Sequence, residues 1–179
     1  MLVLKLEKQE LWDEQTSSFS YAEEATIELE HNLVSVYQWE SKWKKPFLAK
    51  NEKTNAEVID YIKCMTKNVV EDNVYDRLTS KHYEAINKYI DDIMTATTFH
   101  NQDNKNGNSS VMTAELLYYY MTAFNIDFQC QYWHLNRLLT LIDVCSIKSQ
   151  PEKKMSKKDV YRQNKSLNAA RKAKLGTKG

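Results

Sequence analysis

Three glycines and two prolines in 179 residues leave this chain few places to turn tightly. Glycine supplies the positive φ that hairpin turns and phosphate-cradling loops need, and proline pre-sets the corners of loops. Such scarcity argues against a many-stranded barrel or sandwich and against Gly-rich nucleotide loops, and it favours helices. The length suits one domain with an appendage. A chain of this size buries roughly 70% of its unfolded surface, so its core needs no metal or disulfide. Eleven tyrosines and four tryptophans mean that part of the core, or a binding face, is aromatic.

The formal charge of +1 conceals an uneven distribution. Residues 148–179 carry 11 Lys and Arg against Glu152 and Asp159, about +9, while the preceding residues sum to about −8. An acidic body (1–147) thus carries a basic arm (148–179), partly helical or unstructured. Cys64, Cys130 and Cys145 show no CxxC or paired spacing, and read as buried thiols in a reducing compartment. The N-terminus has no charged-then-apolar leader, and no apolar run reaches the length of a membrane span. The expectation is a cytosolic chain with no membrane contact.

Along the body, residues 2–6 read as a strand, with Phe19-Ser20-Tyr21 as its partner across the polar connection at 13–18. Thr26 to His31 alternates with period two and puts Ile27 and Leu29 on one face. From Leu33 the period becomes helical through Val36, Trp39 and Trp43, with Leu33 and Glu40 flanking and Pro46 after the end. Thr54-Asn55-Ala56-Glu57 is a capping box opening a helix whose apolar face is Val58, Ile59, Ile62 and Met65. A turn at 74–78 leads to a helix at 81–91 with Tyr83, Ile86, Tyr89 and Ile90 inward. Residues 101–110 form a polar loop. Two apolar helices follow, at 114–124 and 128–144, the second presenting Phe128, Tyr132, Leu135, Leu139 and Ile142 at helical spacing. A linker at 149–152 precedes a last helix near 157–171, capped at Ser156, with a frayed tail from 174. The class is mainly α (α+β): a small N-terminal β-sheet, a compact multi-helix domain and a basic helical arm.

No catalytic, cofactor-binding or metal-ligating set emerges, so the chain is expected not to be an enzyme and to need no cofactor. Cys130 and His134, spaced i and i+4, could ligate a metal, but no second pair accompanies them; a packed thiol and a hydrogen-bonded histidine is the simpler reading. His31 beside Glu30 could form an acid–base pair, yet nothing nearby offers a nucleophile or an oxyanion site. Arg137, set among leucines, either pairs with a carboxylate or lies at a groove, with pairing favoured. Trp39 and Trp43, flanked by Lys44 and Lys45, belong either to the core, the commoner outcome, or to a binding surface. The candidate partner-binding residues are therefore Trp39, Trp43, Lys44, Lys45, Arg137 and, in the arm, Lys153, Lys154, Lys157, Lys158 and Arg162. The arm's lysines suit phosphates or an acidic protein equally, but its single aromatic, Tyr161, makes nucleic acid the weaker partner.

Several segments together resemble one family. They are Leu29-Glu30-His31-Asn32-Leu33-Val34-Ser35, Trp39-Glu40-Ser41-Lys42-Trp43-Lys44-Lys45-Pro46-Phe47-Leu48, Asp60-Tyr61-Ile62-Lys63-Cys64-Met65-Thr66 and Met94-Thr95-Ala96-Thr97. Two more are Trp133-His134-Leu135-Asn136-Arg137-Leu138-Leu139-Thr140-Leu141-Ile142 and the ending from Lys153-Lys154-Met155-Ser156. Over nearly the whole chain these resemble the siphophage tail assembly chaperones, departing at Asn32, Thr98 and Asp127. The resemblance implies a non-enzymatic protein of the infected bacterial cytoplasm. Its partners would be the tape-measure protein and the tail-tube protein, with self-association also open. The alternative reading is a minor virion structural or nucleic-acid-binding protein using the arm.

Overall fold

In the computed structural model, residues 1–13, 18–98, 111–149 and 157–176 are described. The polar loop at 101–110, the connection at 14–17, the linker from 150, Ser156 and the candidates Lys153 and Lys154 lie outside them. The chain is mainly helical with a small β component, an α+β arrangement. It divides into two compact units, Met1–Ser146 and Ile147–Gly179.

Period-two burial sets the strand pairing. In β1 (Leu2–Leu6) the residues Leu4 and Leu6 are buried, and in β4 (Ala25–Leu29) so are Ile27 and Leu29. The two pair antiparallel with Leu4 opposite Ile27, so that four apolar side chains share one face. The expected pairing of the Phe19 segment with the first strand does not occur. That segment, β3 (Ser18–Ala22), pairs instead with β2 (Gln9–Asp13), which sequence periodicity did not mark. Phe19 and Tyr21 are exposed, so they could not supply the apolar face that β1 must cover. The other edge of β4 is covered by chain following the second helix: Lys67 N–H donates to Glu28 O at 2.9 Å and Glu30 N–H to Met65 O at 2.9 Å.

Helix α1 (Leu33–Trp43) starts at a capping box in which Asn32 accepts from Ser35 N–H at 2.9 Å and Ser35 Oγ accepts from Asn32 N–H at 3.1 Å. It stops at Lys44, whose φ of 55° is left-handed, with Pro46 close behind. Helix α2 (Asn55–Met65) has the expected Thr54–Glu57 box, with Thr54 N–H donating to Glu57 Oε2 at 2.7 Å. Its buried face is rotated from the expected one: Glu57, Asp60, Tyr61, Ile62 and Met65 are inside, while Val58 and Ile59 are half-buried. The two acids can be buried because α1 and the residues after it satisfy them. Lys45 reaches Glu57 at 2.5 Å, Lys42 pairs with Asp60, and Trp43 Nε1 donates to Asp60 Oδ2 at 2.9 Å.

After the short α3 (Asn73–Asp76), α4 (Ser80–Ile90) buries Ile86 and packs Tyr83 and Ile90 partly against the core. Helix α5 (Ala114–Ala123) is capped by Thr113 and buries Ala114, Leu117 and Met121. The single helix expected at 128–144 is broken. A 3-10 helix at Phe128–Tyr132 gives way to extended chain at Trp133, and α6 (Leu135–Ser149) starts afresh. The break has a cause far away in sequence: His134 bridges to Asn32 as a short antiparallel pair, and Leu135 N–H donates to His31 O at 2.9 Å. Phe128 and Tyr132 therefore leave the stripe of Leu135, Leu138 and Ile142 and face solvent.

In the second unit, α7 (Lys157–Leu175) runs beyond the expected end at 171, so Lys174 and Leu175 are helical and not part of a frayed tail. Its described side chains are exposed, and it ends at Gly176, whose φ of 64° is the left-handed cap that glycine adopts without a Cβ clash.

Candidate functional site

The broken helix creates the surface that most needs an explanation. Because chain direction changes at Trp133, the 3-10 segment is laid beside α5 and α1 instead of continuing α6. Asp127 fixes its start by accepting from Gln129 N–H at 2.8 Å, and Tyr118 Oη donates to Gln131 Oε1 at 2.9 Å. Phe128 then stacks on Tyr118 with ring centroids 6.3 Å apart, and Tyr118 meets Tyr37 of α1 edge-on at 6.2 Å. Burial, and then the neighbouring phenols of Tyr132 and Tyr37, push the Tyr118 hydroxyl above its ordinary value. Four aromatic side chains from three segments thus form one strip. Tyr37 is 44% exposed, Phe128 52% and Tyr132 55%.

Tyr37 also forms one end of a groove of about 520 Å³ between the C-terminal end of α1 and the start of α5. Lys44, Lys45 and Pro46 line one side, and Thr113 and Glu115 the other, with Ser41 between. The Glu40 carboxylate at its base accepts Phe47 N–H at 2.7 Å and Ala114 N–H at 2.8 Å. The groove walls are therefore fixed by one buried side chain. An aromatic strip running into a groove with a basic and an acidic flank can hold an extended or helical segment with apolar anchors.

The sequence candidates divide between this surface and the interior. Lys44 is exposed at the groove, and Lys45 lines it while pairing with Glu57. Trp39 is no surface residue: it is 1% exposed and its Nε1 donates to Glu57 O at 2.8 Å. Trp43 is half-buried, 6.3 Å from Trp39. Arg137 corrects the favoured reading of a carboxylate pair. It is exposed, and its guanidinium lies 4.0 Å from the centroid of the Trp133 ring, a cation–π contact; no carboxylate pairs with it among the described residues. It falls outside because α6, starting at Leu135, buries Leu135, Leu138 and Ile142. In the arm, Lys158 and Arg162 are exposed on α7, and Lys157 opens that helix.

His31 and His134 belong to the packing. His31 is buried with Nδ1 hydrogen-bonded to the Tyr61 hydroxyl, and the Glu30 carboxylate turns away to Lys67 at 3.2 Å. His134 Nε2 donates to Tyr89 O at 2.9 Å and its ring meets His31 edge-on at 5.1 Å. Burial, reinforced by His134, holds the His31 imidazole down to about 3, and burial also lowers His134. Both rings are neutral at pH 7. Cys130 is buried in the 3-10 segment, so it does not share a helix face with His134, and no metal-binding group of side chains exists among the described residues. No helix among them is long and apolar enough to cross a membrane.

Sequence reading announced an aromatic surface or core from composition alone, and missed Tyr37, Tyr118, Phe128 and Tyr132 as its members. The available signal was Asp127, a capping residue immediately before Phe128 in the middle of an apolar stretch. Compared with known proteins, the chain matches no family model, no curated protein and no solved structure.

Proposed function

We propose that this chain is a non-enzymatic tail assembly chaperone of a siphophage, acting in the host cytoplasm by holding an apolar segment of the tape-measure protein. The observation that carries the reading is the strip of exposed Tyr37, Phe128 and Tyr132 around half-buried Tyr118, opening into the groove beside Lys44. Aromatic side chains give large contact area at low entropic cost, and a long amphipathic helix awaiting assembly needs such cover. The likeness of the Trp39–Leu48 and Trp133–Ile142 segments to the tail assembly chaperones supplies the identity of the partner. Co-expression with the tape-measure protein from the same genome tests it. A soluble complex that co-purifies at several salt concentrations is expected; a tape-measure protein that stays insoluble and never co-elutes would sink the reading.

A second reading draws on α7, where seven Lys and Arg face one Asp on an exposed helix. A nucleic acid would be gripped there through its phosphates, with affinity falling steeply with salt. Filter binding that shows such a slope, lost on truncation after Ser149, favours this reading, and flat binding removes it.

A further inference from the structure

On the first unit, outside the aromatic strip and its groove, lies a cleft of about 310 Å³ between the β1–β2 connection and the start of α4. Lys5, Glu7 and Lys8 line one side of it, and Arg77, Thr79 and His82 the other. Three cations therefore meet one carboxylate, and the cations are poorly neutralised. Arg77 spends two donors on main-chain carbonyls, Nη1 on Glu23 O at 2.9 Å and Nη2 on Glu7 O at 2.5 Å. Those acceptors carry no formal charge, and no carboxylate pairs with Arg77 or Lys5 among the described residues. The guanidinium is thus a fixed positive charge at the cleft wall. Lys8 pairs with Glu23 at 3.2 Å, but both side chains are more than half exposed, so exchanging that pair for another anion costs little.

The His82 ring at the cleft is held by a backbone hydrogen bond that selects its tautomer. Thr79 N–H donates to His82 Nδ1 at 3.1 Å. A backbone amide can only donate, so Nδ1 is the accepting nitrogen and the neutral ring carries its proton on Nε2. His82 therefore offers an N–H donor without needing a charge. Thr79 and His82 also begin an eleven-residue helix, whose positive dipole end lies beside the cleft.

We infer that this cleft binds the phosphate group of a small anionic ligand, with Lys5, Lys8 and His82 as direct donors and Arg77 as a fixed charge behind them. The volume accommodates a phosphate with a modest organic substituent.

The test is a residue-resolved NMR titration of the full chain with inorganic phosphate and with pyrophosphate, each against chloride at equal ionic strength. Saturable shifts confined to the amides of residues 5–9 and 77–82, with a dissociation constant of about 1 mM or tighter, are expected. Two variants separate binding from folding. Lys5→Gln with Lys8→Gln removes surface charge and should weaken binding at least about tenfold. His82→Glu keeps a capping box with Thr79 while placing a carboxylate where the donor stood, so thermal stability should hold and binding vanish. Shifts that do not saturate, that match those given by chloride, that spread over the lysines of α7, or that persist in His82→Glu would overturn the assignment.

Discussion

The buried Glu40 carboxylate accepts the backbone N–H of Ala114 at 2.8 Å, joining α1 to the first residue of α5 across 74 positions of chain. Its second oxygen accepts from Phe47 N–H at 2.7 Å. A glutamine here keeps one accepting oxygen and turns an NH₂ toward an amide that also donates. Glu40→Gln should therefore lower stability by about 2 kcal/mol, the scale of a hydrogen bond to a charged group in a buried place. Urea unfolding measures it. A loss under about 0.5 kcal/mol, typical of surface changes, would mean the tie is not holding α5.

The two buried histidines predict how stability responds to acid. His31 is held at about 3 in the fold, against an ordinary value of 6.5, and His134 is lowered too. The unfolded chain binds protons that the folded one refuses. Stability is thus full above about 6.5 and falls as the pH drops below it, by up to about 1.4 kcal/mol per pH unit from one such histidine. The histidine effect sets in from pH 6.5 downward, while Asp143, raised by burial, acts in the opposite sense as it takes up its proton. Glu57, lowered first by its hydrogen bond from Lys45, and Asp72, lowered by Lys63, lose their contributions only in stronger acid. Urea midpoints at pH 7, 6 and 5 should fall, and His31→Phe should flatten the trend; a flat native profile would contradict the buried neutral ring.

How much of this was legible in the sequence depends on how local its cause is. The Thr54–Glu57 cap and the stripe of Leu33, Val36 and Trp39 were readable because caps and helical spacing act within a turn or two. The burial of Glu57 and Asp60 was not, because it depends on Lys45, Lys42 and Trp43, each at least 12 residues away. Nor was the break at Trp133, which the Asn32–His134 bridge imposes from far away in sequence. The aromatic strip inherits that difficulty. Helical spacing drew Phe128 and Tyr132 into the core, and a non-local pairing turned them out.

Thiol chemistry offers an independent check on α2. Burial, and after it the nearby Asp60 carboxylate, push the Cys64 thiol up to about 11. Burial likewise raises Cys130. At pH 8 a thiol at 11 is about one part in a thousand thiolate, the reactive form. Labelling with a disulfide reagent, mapped by mass spectrometry, should modify Cys64 at least about tenfold more slowly in the native protein than in urea. Fast native labelling would show that α2 is not packed at this position.

The division between aromatic core and aromatic surface predicts opposite outcomes for residues of similar chemistry. Phe128 and Tyr132 are more than half exposed, so Phe128→Ser and Tyr132→Ser should change stability by no more than about 0.5 kcal/mol. If the strip is where an apolar partner segment docks, the same changes should weaken capture of the tape-measure protein by about 2 kcal/mol, roughly thirtyfold, because desolvated aromatics carry most of such contacts. Trp39→Phe should do the reverse. It removes the donor to Glu57 O and part of a packed ring, costing about 2 kcal/mol of stability while leaving the strip intact. Parallel unfolding and pull-down measurements on the three variants separate the two roles. If Phe128→Ser and Tyr132→Ser bind as the native chain does while Trp39→Phe fails to bind though folded, the docking face lies on the α1–α2 side and not along Tyr37, Tyr118 and Phe128.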